Sequence, residues 1–289
     1  MTTSFPRITI HLHVFYPELL EELVACIHNI ETVCGEEQVD VVATCPFGRD
    51  DVRERIMEQL PAAQLVEVPN AGYDVGPFFE FLDRIDLDDY DYVIKLHTKR
   101  DKPLDWVNFR RFKGGEWRQA LLSFCSTVEA VRKSIRAFER NPRLGVVADR
   151  RVMDPSGIAQ GDFGWQEVGV LRRLGFSPTR HTFVYGTMFM MRASLLKTVQ
   201  HKVHLSDFHV VERPHVDYGL AIEWEMALPV LAEVQGFYVS DGKIPALLVR
   251  PYLLWLKIKF TFLRRTIDMV RNLFGATRLM RLYQMLHMR

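Results

Sequence analysis

Between two segments of strand-like composition lies NAGYDVGPFFEFL, Asn70 to Leu82. Its residue types do more than a plain turn requires. Gly72 and Gly76 permit positive φ or a close backbone approach. Asn70 and Asp74 are short polar groups that can hydrogen-bond a nucleoside or a sugar. Pro77 marks the first turn of a helix, whose amino end carries partial positive charge and attracts anions. A second group follows in YDYVIKLHTKRDK, where Lys95, His97, Lys99 and Arg100 end a strand; cations there suit a diphosphate. A third is FVYGTMFMMRASLL. A glycine inside an apolar strand means a bulge or a close neighbour, and Gly186 with Thr187 suits the acceptor side of a pocket. The fourth, HVDYGLAIEWEMAL, holds three acids. Glu223 lies between Ile222 and Trp224, an apolar setting that raises a carboxylate's pKa and suits a general base. Asp217 ranks second, and Glu225 reads as a surface acid. Each group also has a bland reading: a strand-to-helix turn, a solvated basic loop, core methionines, a polar helix face.

These groups need a scaffold, and the pattern supplies one. Arg7–His13, Val39–Thr44, Leu65–Val68 and Tyr92–Leu96 read as strands by β-branched content and alternation. Helical spacing fills the gaps at 17–29, 50–60 and 77–84. Such alternation predicts a Rossmann-type, mostly parallel α/β sheet with helices on both faces, and ligands then bind beyond the carboxyl ends of the strands. Asn70–Gly76 and His97–Arg100 both fall at that edge. After Leu96 the pattern loosens: a long loop over 103–116, helix in two pieces over 117–140, a strand at Leu144–Ala148, one strand over Phe183–Met191, a helix over 218–234 and a closing strand at Phe237–Ser240.

The chain has 289 residues, 48% hydrophobic, enough for a full core. From Ile244 onward there are nine Lys/Arg and one acid, Asp268, so that segment carries +8 and the residues before it −7. The acidic body argues against a nucleic-acid enzyme. The tail has an apolar stripe (Trp255, Leu256, Phe260, Leu263, Ile267, Val270, Phe274) flanked by cations, which suits an anionic membrane surface or a protein partner. Four cysteines without a C-x-x-C pair, and an N-terminus without a secretory pattern, point to a reducing cytoplasm. No run of about 20 apolar residues reads as a span. His201, His204, His209 and His215 match no zinc-binding spacing; a metal-dependent hydrolase built on them is a third-ranked reading. No P-loop, G-x-S-x-G or H-E-x-x-H is present.

Taken together, HLHVFYPELLEEL, NAGYDVGPFFEFL, YDYVIKLHTKRD, GEWRQALL, NPRLGVV and YGTMFMMRASLL resemble the rhamnan synthesis protein F family over about Ile8 to Val239. The resemblance implies a GT-A-like glycosyltransferase of bacterial polysaccharide assembly. Residues 1–243 would form the enzyme (1–102 for the nucleotide-sugar donor, 103–243 for the acceptor), while 244–289, outside the resemblance, reads by its own composition as a basic amphipathic helical tail. It implies donor contacts from Asn70, Gly72, Asp74, Gly76, Lys95, His97, Lys99 and Arg100, and acceptor contacts from Gly186, Thr187 and Arg192. A lipid-linked glycan would be the acceptor, and the protein would sit peripherally on the inner face of the cell membrane. Rhamnose or another deoxyhexose is the expected sugar. Related enzymes hold a Mg2+ or Mn2+ through D-x-D after the fourth strand. Here that position reads His97-Thr98-Lys99, which leaves metal use open and favours cations in its place. Two D-x-D matches, Asp86–Asp88 and Asp89–Asp91, precede the strand and are read as decoys. A catalytically silent assembly subunit is the alternative.

Overall fold

The computed structural model describes residues 5–101, 104–107, 110–154, 169–178, 182–211 and 219–243, with 255, 258, 262, 265 and 269. In chain order the elements begin with β1 (Ile8–His13), α1 (Leu20–Cys34), β2 (Val39–Pro46), α2 (Asp50–Gln59), β3 (Gln64–Val68), α3 (Val75–Arg84) and β4 (Tyr92–His97). There follow β5 (Leu104–Val107), β6 (Arg110–Lys113), α4 (Glu116–Leu122), α5 (Val128–Arg140), β7 (Leu144–Val147) and β8 (Met153–Asp154). The last are α6 (Gly169–Arg173), β9 (Phe183–Val184), β10 (Phe189–Arg192), α7 (Ala193–Leu196), α8 (Gly219–Val234) and β11 (Tyr238–Ser240).

A seven-stranded sheet runs in the order β11-β7-β10-β4-β1-β2-β3. All its strands are parallel except β10, which is antiparallel to both β4 and β7. The chain builds outward from β1 to β2 and β3, then returns to place β4 on the other side of β1. The gap between β1 and β4 is therefore the switch point, where an open α/β sheet leaves a crevice for a ligand. Because β10 runs backwards, its amino end meets the carboxyl edge of β4: Phe189 pairs with Lys95, and Arg192 with Tyr92 at the far edge.

The strands are two-sided. Ile8, Ile10 and Leu12 point one way with Ile94 and Leu96, all essentially buried. Thr9, His11 and His13 point the other way and are buried too. Helix α3 covers that second face. Phe78, Phe79, Phe81 and Leu82 are completely buried. The rings of Phe78 and Phe81 lie 5.5 and 5.2 Å from His11, while Phe79 packs against Phe208 and Trp224 of α8. The Gln200 side-chain amide donates to the Leu82 and Ile85 carbonyls, satisfying the last turn of α3.

Two expectations change. The segment 103–116, read as loop, contains the antiparallel β5–β6 pair. The single strand read over Phe183–Met191 is two strands: β9 pairs with β8, and β10 joins the main sheet. Between them Gly186 (φ 78) and Thr187 (φ 46) are both left-handed, which ends one strand and redirects the chain. Among the described residues no helix is long and apolar enough to cross a membrane.

Candidate functional site

Four segments converge at the carboxyl edge between β1 and β4. Asp74, just before α3, accepts through Oδ2 from the Lys95 ammonium and, at 2.7 Å, from the Thr187 hydroxyl; Nδ1 of His97 stands 3.4 Å away. Lys95 also donates to Thr187 Oγ1 at 3.0 Å and lies 5.7 Å from the centre of the Phe78 ring. Lys95 is fully buried, Thr187 and His97 nearly so, and Asp74 is 19% exposed. The turn carrying Asp74 includes Gly72 (φ 67) and Tyr73 (φ 56), and the turn carrying Thr187 is left-handed as well. Two strained turns are thus held together by one buried ion pair and a hydroxyl.

The network continues inward. Register places His11 beside Lys95, and His13 beside both His97 and Thr44. The Thr44 hydroxyl lies 3.0 Å from His11 Nε2 and 3.0 Å from His13 Nδ1. Burial pushes His13 down to about 4, and pushes His11 and His97 well below the ordinary histidine range, with Lys95 adding to the same direction. Burial alone would raise Asp74, but His97, Lys95 and Lys99 outweigh it and hold the carboxyl well below its usual range. Burial also lowers Lys95, and Asp74 opposes that shift. The pair is therefore Asp− and Lys+ at neutral pH, beside neutral imidazoles.

Several expected site residues prove to have structural work. Lys95, expected on the donor, has its ammonium sealed inside and engaged by Asp74 and Thr187. Gly76 lacks a side chain for the turn's own sake: a Cβ there would lie 2.2 Å from the Ala71 carbonyl oxygen. A Cβ on Gly72 would meet Phe208, and the Gly72 N–H donates to the His209 carbonyl. The Asn70 carbonyl accepts from Val211, so residues 209–211 strap the turn down. Thr98 accepts from the Phe15 and Tyr16 amides and pins the loop after β1. Arg100 pairs with Glu18 and stacks on Tyr16 at 4.3 Å. Lys99, half-buried, stands 6.0 Å from the Trp117 ring, and a Cβ on Gly186 would press on Leu121 and Trp117.

Arg192 departs from the expected acceptor role. It sits at the amino edge of β4, stacks over Phe138, and donates to the carbonyls of Leu144, Phe138 and Asn141. It fastens the end of α5 to the sheet. Glu223 pairs with Arg173 on α6 at 3.1 Å. Glu225 is the acid that reaches the site: its Oε1 accepts from the Gly186 N–H at 3.2 Å, and its charge acts on Lys95. Apolar neighbours in sequence favoured Glu223, but helix rotation decides which acid faces the turn. Asp217, His215 and Lys102 lie outside the described residues. His201 and His204 both engage Asp83 at the last turn of α3, while the His209 carbonyl meets the Gly72 amide ahead of that helix, so these three histidines do not converge. The D-x-D pairs lie at the amino edge of β4: Asp88 pairs with Lys197, and Asp91 accepts from the Arg7 amide.

Among the described residues the donor set does not suit a divalent cation. The Asp74 oxygen nearest His97 is occupied by an ammonium and a hydroxyl, the Thr98 hydroxyl by two amides, and Lys99 adds positive charge. Among the described residues no group of three or more His, Cys, Asp or Glu side chains is placed to hold a metal ion. His11, His13 and Thr44 were passed over in sequence, although H-x-H on one strand and K-x-H on another carried the signal.

Fold and site together define an α/β protein with a polar cluster at the switch point of a mostly parallel sheet. The chain belongs to the rhamnan synthesis protein F family, whose model matches residues 2–232. It is 24% identical over 219 residues to a protein of Xanthomonas campestris pv. campestris described as uncharacterized protein WxcX. That match takes in 75% of this chain and 30% of the relative, so the chain spans under a third of the length of the curated relatives it matches. Among solved structures it is similar to a mannosyltransferase from Pyrobaculum calidifontis in complex with GDP-Man and Mn2+ (15% identity, 68% of this chain and 47% of that one, TM-score 0.36). It is also similar to 4-diphosphocytidyl-2C-methyl-D-erythritol synthase from Anaerococcus prevotii (11% identity, 89% and 99%, TM-score 0.39). Likeness at this level decides neither activity nor ligand.

Proposed function

We propose that the chain is a GT-A-like glycosyltransferase of polysaccharide assembly, taking its sugar from a nucleotide-sugar donor at the carboxyl edge between β1 and β4. The observation that carries this reading is the contact of Asp74 with Lys95, His97 and Thr187, which brings three separate sequence groups to the switch point. Asn70 and the amino end of α3 face the donor. Glycosyl transfer expels a diphosphate, and preformed positive charge stabilises it as it leaves. Lys99 supplies that charge in this reading, with the Asp74–Lys95 pair positioning the turns on either side. Glu225 accepts the proton of the attacking hydroxyl, since its carboxylate is fixed by the Gly186 amide beside Thr187. Rhamnose or another deoxyhexose as the sugar, a lipid-linked glycan as the acceptor and an anionic inner membrane surface for 244–289 complete the proposal.

Sugar transfer from a panel of nucleotide-sugars to lipid-linked glycan, assayed with EDTA present, tests it. Transfer survives EDTA, Glu225→Gln lowers turnover about 100-fold or more with donor affinity kept, and Glu223→Gln has little effect. Loss in Glu223→Gln with Glu225→Gln intact overturns the assignment of the base. Donor binding without transfer favours a catalytically silent assembly subunit.

A further inference from the structure

We propose that the groove between α5 and the end of β11 is a second binding site, which takes the phosphate of an anionic lipid headgroup at a bilayer surface. The groove has a volume of about 740 Å3. Lys133, Arg136 and Arg140 line one wall, and Tyr238, Asp241 and Lys243 the other. The three cations lie at i, i+3 and i+7 of α5, whose opposite side buries Val131, Ile135 and Phe138. Lys133 is 3.7 Å from Glu129, and Asp149 at the groove's end is matched by Arg151 at 2.8 Å. Arg136, Arg140 and Lys243 have no carboxylate partner among the described residues, and Asp241 alone stands against them. The groove therefore holds an excess of positive charge.

Two further observations point to a bilayer as the source of the phosphate. The chain leaves the groove at Lys243 directly into residues 244–289, which carry +8. In that segment Trp255, Ile258, Phe262 and Met269 are helical, three to seven residues apart, and 54%, 61%, 72% and 56% exposed. Basic residues gain from an anionic surface and exposed apolar ones from its interface, so one partner suits both. The groove reaches Ala148 and Ser240 at the carboxyl ends of β7 and β11, the edge that also carries Asp74 and Thr187. The inference rests on the membrane-associated glycosyltransferase reading and adds its second point of contact.

Co-sedimentation of the full chain with phosphatidylglycerol-containing and pure phosphatidylcholine vesicles tests it, alongside nucleotide-sugar binding in solution. Arg136→Gln with Arg140→Gln weakens binding to the anionic vesicles about thirtyfold and leaves nucleotide-sugar binding unchanged. Arg172→Gln with Lys202→Gln, the same loss of charge on exposed residues that do not line the groove, weakens it far less. Equal weakening by the two pairs overturns the site in favour of diffuse attraction. Displacement by soluble glycerol phosphate at matched phosphate concentration overturns the lipid source. Anionic binding untouched by the groove pair removes the groove and leaves the membrane reading standing; no binding to either vesicle removes both. Nucleotide-sugar binding reports separately on the glycosyltransferase reading.

Discussion

Removing Lys95 alone strands the Asp74 carboxylate where little water reaches it, so the loss is set by desolvation rather than by the pair's own attraction. Lys95→Met is expected to cost about 3–5 kcal/mol in denaturant unfolding, and adding Asp74→Asn to recover part of it. Strictly additive single and double effects would show that the two groups do not act as a pair. The histidines give a second residue-scale expectation. His13 has a folded pKa of about 4 against an ordinary 6.5. Between those values the unfolded chain takes up a proton that the folded chain refuses. Stability is therefore full above 6.5 and falls as pH drops, by about 2 kcal/mol at pH 5 from His13 alone. His11 and His97 shift the same way and add to the loss. Asp74 is lowered instead, so its contribution is lost only at still lower pH, as pH falls through its folded value. Urea midpoints at pH 7.5 and pH 5, with His13→Gln narrowing the difference, check this; equal stability at both contradicts it. In the sequence the alternation of HLH and KLH was visible. The register that stacks His11 on Lys95 and His13 on His97 was not, and without it Lys95 reads as a ligand contact rather than a buried strut.

At the scale of elements, Gly76 shows how a turn can look like a binding loop. The glycines of NAGYDVG are demanded first by the chain itself: the Ala71 carbonyl and the Phe208 ring occupy the space of their missing side chains. Gly76→Ala is expected to destabilise by about 1–3 kcal/mol or more through overpacking. Gly115→Ala, at ordinary φ with its nearest neighbour 3.9 Å away, should change stability by less than about 1 kcal/mol, the gain in chain stiffness offsetting a poorer helix cap. Similar unfolding midpoints for the two variants contradict this account of the turn. The alternating strands and helices up to β4 were legible because each has a clean period. FVYGTMFMM was not, because its break is imposed from outside, by the Asp74–Thr187 contact that holds Thr187 left-handed. The β5–β6 pair was hidden because RRFK lacks both alternation and a turn signal.

At the scale of the whole molecule, alternation announced an α/β sheet, but not its strand order. Which strands become neighbours depends on crossovers, and the antiparallel β10 has no mark in composition. That order places β1 beside β4 and creates the switch point, so the location of the candidate site follows from topology more than from any one motif. The split of charge between an acidic body and the basic segment 244–289 was legible outright. Unfolding temperature measured against a panel of nucleoside diphosphate sugars shows whether the β1–β4 edge holds a nucleotide-sugar. Saturable stabilisation by at least one of them is expected, about 2.7 kcal/mol at 100 times Kd, retained in EDTA and reached in Lys99→Ala only at roughly tenfold or more higher ligand concentration. A folded chain whose unfolding temperature no nucleotide-sugar moves, or an unchanged response in Lys99→Ala, would contradict it.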